Sequence, residues 1–240
     1  MGTILAGLLE LLFPVPPRCA VCGRELGRKD DREPFCPQCR QRLVWLPPFI
    51  CRKCGKPLPS PGYLCADCSV HRHYFERCRA LGIYADVMQA CIYRFKYDGQ
   101  AELGRPLGKL MADKLGGEGL PHLDAVIPVP LFPKKETARG YNQSALLAEA
   151  VGRHLHLPLI RQNLVRVRDT PSQTWQGRAE RQANVRDAFA VRRPEEVADK
   201  RLLLVDDIYT TGSTINECAR VLRAAGAAAV EVIVLAVGRQ

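Results

Sequence analysis

Hydrophobic positions along this chain follow two rhythms, and their alternation sets the expected architecture. Residues 86–97 and 101–115 carry helical spacing, with Leu103, Leu107, Leu110 and Met111 on one stripe of the second. The run Gly116-Gly117-Glu118-Gly119 closes that helix. Asp124 to Val129 reads as a short buried strand stopped by Pro130 and Pro133. A helix is expected over 142–155, a strand over 164–167, a buried strand over 201–205, a helix over 213–225 and a last strand over 229–237. Residues 80–85 form a short apolar stretch, while 170–181 is polar without an apolar period and reads as a loop. Strands alternating with helices imply an α/β domain with a mostly parallel sheet covered on both faces.

Near the start, 4–13 is the longest apolar run, but it contains Glu10 and stops at Pro14. It is too short for a membrane span and reads as an amphipathic first helix packed on the domain behind it. It lacks a basic leader and a small-residue cleavage pattern, so no signal peptide is expected. Cysteine and proline are dense up to about Ser69 and then thin out. That shift divides the chain into an N-terminal module, 1–78, and a larger domain, 79–240.

Eight of the 11 cysteines form four Cys-x-x-Cys pairs: Cys19 and Cys22, Cys36 and Cys39, Cys51 and Cys54, Cys65 and Cys68. Without an export signal, paired thiols read as metal ligands and the protein as cytoplasmic. Each turn aims two sulfurs at one ion, and Gly23 and Gly55 permit the positive φ that such knuckles often need. Two structural Zn²⁺ sites follow. Sequential pairing is preferred because each half resembles one zinc ribbon, although interleaved pairing also satisfies the spacing. With four thiolates per ion, neither site keeps an open position for catalysis. His71 and His73 are then unnecessary as ligands and read as surface histidines.

The net charge of +10 raises the question of nucleic acid. Residues 1–79 hold 13 Lys+Arg against 7 Asp+Glu, yet each four-cysteine zinc site adds about −2 and removes most of that excess. Residues 131–193, with 12 Lys+Arg against 5 Asp+Glu, are the real basic concentration, which suits a polyanionic small molecule as well as DNA. Arg52, Lys53 and Lys56 form at most a small patch, read as solvated surface.

The strand at 201–205 delivers Asp206 and Asp207 at its C-terminal end, where open α/β sheets bind ligands. Thr210-Thr211-Gly212-Ser213-Thr214 then opens a helix. Orphan amides and the helix dipole favour a phosphate there, and the carboxylates suit ribose hydroxyls or, through water, Mg²⁺. No G-x-x-x-x-G-K-S/T or G-x-G-x-x-G loop is present.

The segment 204–214 resembles the phosphoribosyl-pyrophosphate (PRPP) loop of type I phosphoribosyltransferases. Phe95-Lys96-Tyr97, Ile127-Pro128-Val129-Pro130, Arg139-Gly140-Tyr141-Asn142-Gln143 and Arg181-x-x-Asn184-Val185-x-x-Ala188-Phe189 resemble the ComF family of competence-associated proteins, which also carries an N-terminal cysteine zinc module. The resemblance implies a type I phosphoribosyltransferase fold behind a double zinc ribbon. It implies that Asp206 and Asp207 hold the ribose hydroxyls of PRPP and that Thr210, Thr211, Gly212, Ser213 and Thr214 hold its 5′-phosphate. Arg139 would contact pyrophosphate together with Mg²⁺, and 169–181 would be a hood carrying Arg178 and Arg181. Purine-salvage members usually place an acid where Thr210 stands, which disfavours a purine-salvage role. The implied reaction is displacement of pyrophosphate by an acceptor nitrogen, in a protein linked to single-stranded DNA and the competence machinery. The alternative is a DNA-binding or scaffold protein that keeps the PRPP site as a sensor.

Overall fold

The computed structural model describes residues 17–27, 34–117, 119–169 and 183–238. The expected helix over 4–13 lies outside them. Strands β1 (Cys78–Ile83), β2 (Ala125–Pro128), β5 (Arg201–Tyr209) and β6 (Ala229–Val237) form one parallel sheet in the order β1-β6-β5-β2. A smaller antiparallel pair, β3 (Leu164–Arg166) and β4 (Phe189–Val191), stands beside it. Helices α3 (Asp86–Tyr97), α4 (Gly104–Gly116), α6 (Gln143–Leu155) and α7 (Ser213–Ala224) flank the sheet, with short helices α1 (Pro37–Gln41), α2 (Ala66–Val70) and α5 (Pro133–Arg139) in the connections. Among the described residues, no helix is long and apolar enough to cross a membrane.

Strand periodicity sorts the core into two clusters, because alternate residues of a strand face opposite sides. Leu203, Val205, Ile233 and Leu235 pack with α3, α4, α6 and the first cysteine half. Leu202, Leu204, Val232 and Val234 pack with α7, the β3–β4 pair and the second cysteine half. Parallel strands covered on both faces read as continuous apolar runs, as 202–205 and 232–237 do.

Several features depart from the sequence expectation, among them the following. β5 continues past Val205 to Tyr209, because β6 runs alongside it and pairs Asp206 with Val234 and Tyr209 with Val237. Residues 101–103 form a separate 3₁₀ turn ahead of α4. α5 and β4 were not expected: α5 starts on Pro133, buries none of its residues and so has no apolar stripe to reveal it.

Candidate functional site

β2 ends opposite Val205, so the next two residues of β5 emerge beyond its edge. These are Asp206 and Asp207, both buried. Two helices meet them there. Asn142 caps α6 by accepting hydrogen bonds from the amides of Ser144 and Ala145, and its own Nδ2 donates to the Val129 carbonyl. That anchors the first turn of α6 against the end of β2. Ser144 Oγ then donates to Asp206 Oδ1 at 2.8 Å, and Gln143 Nε2 donates to Asp207 Oδ1 at 3.3 Å. From α3, Lys96 forms an ion pair with Asp207.

This environment separates the two acids. Burial pushes Asp206 up to about 8, and the neighbouring Asp207 charge pushes the same way. Burial also opposes ionisation of Asp207, but the Lys96 ammonium and the hydrogen bonds from Asp206, Lys96 and Gln143 together hold that carboxyl below its ordinary range. Lys96 is itself desolvated, and Asp207 more than compensates, keeping the ammonium charged. The pair therefore holds one charge and one proton at neutral pH. A donor such as a sugar hydroxyl entering this site favours release of that proton.

After Tyr209 the chain turns at Gly212, whose φ of 77° lies in the left-handed region, and enters α7 at Ser213. The Tyr209 ring fills the space that a Cβ on Gly212 would need, so the position requires glycine twice over. Thr211 and Ser213 place their hydroxyl oxygens 2.9 Å apart. At the end of α5, Arg139 donates to Gln143 Oε1, and its guanidinium lies 5.3 Å from the Tyr97 ring centroid. Arg139 is thus joined through Gln143 to Asp207. Of the sequence-derived candidates, Asp206, Asp207 and Arg139 come together, with Thr210 to Thr214 following directly on β5. Arg178 and Arg181 lie outside the described residues.

Lys96, Gln143 and Ser144 were missed as site residues. Lys96 had a readable signal, since it follows Met88 and Ile92 at four-residue steps and falls on the buried stripe of α3. Gln143 read as part of a family motif at the opening of a helix and Ser144 only as helix, because their contact with the carboxylates depends on how that helix meets β5.

The cysteines gather in sequential order, Cys19, Cys22, Cys36 and Cys39 in one cluster and Cys51, Cys54, Cys65 and Cys68 in the other, with the sulfurs of each within 4.8 Å of one another. Cys22 and Cys36 sulfurs are 3.7 Å apart, as are those of Cys54 and Cys65. Zn–S bonds of about 2.3 Å in a tetrahedron give an edge of about 3.8 Å, so both clusters fit Zn²⁺. Gly23 and Gly55 take φ of 73° and 75° behind the knuckles. His73 is not a surface histidine: it is half-buried, with Nε2 3.3 Å from Cys68 Sγ. Nor are Lys53 and Lys56 simply solvated, since they lie over the Phe75 and Tyr209 rings.

A parallel sheet ending in two carboxylates, followed by a hydroxyl-rich turn into a helix, defines a phosphoribosyltransferase-type domain. In agreement, residues 142–240 match the phosphoribosyl transferase domain family and residues 8–69 match the double zinc ribbon domain family. Competence protein F of Haemophilus influenzae is 31% identical over 220 residues, covering 90% of this chain and 94% of that protein. DNA utilization protein YhgH of Escherichia coli is 30% identical, covering 92% and 97%. Competence protein ComFC of Bacillus subtilis is 31% identical, covering 87% and 86%. The chain belongs to the ComF family.

Proposed function

We propose that this protein binds PRPP with Mg²⁺ at the end of β5 and serves in the handling of single-stranded DNA during uptake. The observation that carries the first part is the buried Asp206–Asp207 pair, polarised by Lys96 and Ser144 and followed by the Gly212 turn into α7. The two carboxylates accept hydrogen bonds from the ribose hydroxyls. The hydroxyls and amides of Thr210 to Thr214 take the 5′-phosphate at the positive end of α7. Arg139 contacts pyrophosphate, and the positive charge of segment 131–193, to which Arg178 and Arg181 contribute, suits that anion. Mg²⁺, when bound, neutralises charge on the pyrophosphate. The names of the relatives, competence proteins and a DNA utilization protein, support the second part.

Calorimetric titration tests the site. PRPP with Mg²⁺ is expected to bind wild type and to lose at least about 100-fold in affinity in the double variant Asp206→Asn, Asp207→Asn. Equal binding, or no binding to either, removes the proposal. Thr210 favours a second reading, sensing without transfer, because 208–214 contains no Asp, Glu, His or Lys to take a proton from a nucleophile. Pyrophosphate release with a panel of bases and amines marks a transferase, and binding without release marks a sensor.

A further inference from the structure

The second cysteine half reaches the phosphate loop through a row of stacked side chains. It begins at Cys68, whose Sγ lies 3.3 Å from His73 Nε2. The His73 and Phe75 rings are 5.0 Å apart, and Phe75 meets Tyr209 edge-on at 6.1 Å, with 80° between the planes. Phe75 and Tyr209 are each 1% exposed. Tyr209 in turn occupies the space beside Gly212, where the loop turns into α7. Lysines of the same half lie over the row, Lys53 Nζ at 5.3 Å from the Phe75 ring and Lys56 Nζ at 5.9 Å from the Tyr209 ring. A hydrogen-bonded tie runs in parallel: the Tyr74 amide donates to Asn216 Oδ1 at 2.8 Å, and the Asn216 amide donates to the Gly212 carbonyl at 2.8 Å. The first half packs its side chains with Val87, Met88, Cys91 and Ile92 of α3 instead.

We infer that Phe75 and Tyr209 are positioning residues for the phosphate loop, held by the second four-cysteine cluster. Zn²⁺ at that cluster and a ribose phosphate at Thr210 to Thr214 then favour each other's binding, whereas Zn²⁺ at the first cluster, packed on α3 rather than on this loop, is coupled to the ligand more weakly. The physical reason is close packing. Phe75 and Tyr209 are buried and in contact, so displacing Phe75 moves Tyr209, and the Tyr209 ring is what lies against Gly212 where the loop turns. Coupling between two sites is reciprocal, and its usual size is about 5- to 150-fold in affinity. Only the ligand half of this inference rests on the proposed ribose-phosphate site.

The test compares one-sulfur variants of each cluster in the full chain, Cys68→Ser and Cys22→Ser. Hydrogen exchange at amides 209–216 is expected to accelerate at least about tenfold in Cys68→Ser and to keep its wild-type rate in Cys22→Ser. Equal rates in the two variants overturn the inference. Phe75→Leu, which leaves all eight zinc ligands in place, covers the case in which Cys68→Ser does not fold. The same acceleration is expected there, and a wild-type rate overturns the inference. In the ligand arm, ribose 5-phosphate is expected to slow chelator extraction of one Zn²⁺ out of two by about tenfold, an effect lost in Phe75→Leu. Equal slowing of both ions counts against the coupling. Failure of ribose 5-phosphate to bind wild type removes the proposed function instead, and the exchange rates then decide the coupling alone.

Discussion

The two faces of the sheet converge on one site and supply different parts of it. From the face of Leu203 and Val205, α3 and α6 bring Lys96, Gln143 and Ser144 to the acidic pair, the proposed sugar end. On the face of Leu202 and Leu204 stand Tyr209 and α7, which frame the proposed phosphate end. The cysteine halves divide in the same way. Both gather four sulfurs behind a positive-φ glycine, yet the first packs with α3 and the second packs beside Tyr209 and the proposed phosphate loop. Identical metal chemistry therefore has unequal consequences, decided by the apolar surroundings of each cluster.

The largest expected effect removes the cation at the sugar end. Lys96→Met strands Asp207 in a buried site and should cost about 3–5 kcal/mol at pH 8. The cost should shrink toward pH 5, because a protonated Asp207 needs no cation; chemical denaturation at both pH values reads the difference. Gly212→Ala acts at the other end. Its left-handed φ and the Tyr209 ring together should cost about 2–4 kcal/mol and weaken ribose 5-phosphate more than free ribose. Calorimetry with the two ligands checks that contrast, and equal losses would erase the division into ends.

A smaller effect separates the cysteine halves. Gly23→Ala meets no heavy atom within 4 Å and should cost about 1–2 kcal/mol for its φ alone. Gly55→Ala has a similar φ but places its Cβ 2.9 Å from the Cys78 carbonyl oxygen, so it should cost about 1 kcal/mol more. Melting temperatures of the zinc-loaded variants make the comparison. The smallest effect is a gain. Because the folded state raises Asp206 to about 8, the unfolded chain holds fewer protons between pH 4 and 8, and this group's contribution to stability falls as pH rises through that window. Asp206→Asn should therefore stabilise the ligand-free protein by about 0.5–2 kcal/mol at pH 8 and by little at pH 4, while weakening PRPP.

Much of this arrangement was legible because apolar spacing is a local property. The strands at 201–205 and 229–237, the helices at 86–97 and 142–155 and the four Cys-x-x-Cys turns all carry their signal within a few residues. The carboxylate–hydroxyl loop was legible for the same reason. What could not be read depends on distant partners. β5 gains Asp206 to Tyr209 only because β6 is long enough to pair with them. β4 has three residues and is defined by its pairing with β3. Sequential gathering of the cysteines was the preferred reading, and folding removes the interleaved pairing that spacing had left open. Lys96 becomes a site residue only when α3 is laid against the end of β5, and His73 leaves the surface only when Phe75 beside it packs on Tyr209.

The central claim is that the acidic pair recognises ribose hydroxyls beside a phosphate. The most direct measurement compares the affinity of wild-type protein for ribose 5-phosphate and for 2-deoxyribose 5-phosphate at pH 8. Loss of one hydroxyl partner at a buried carboxylate predicts at least about tenfold weaker binding of the deoxy sugar. Equal affinity for the two sugars would contradict it.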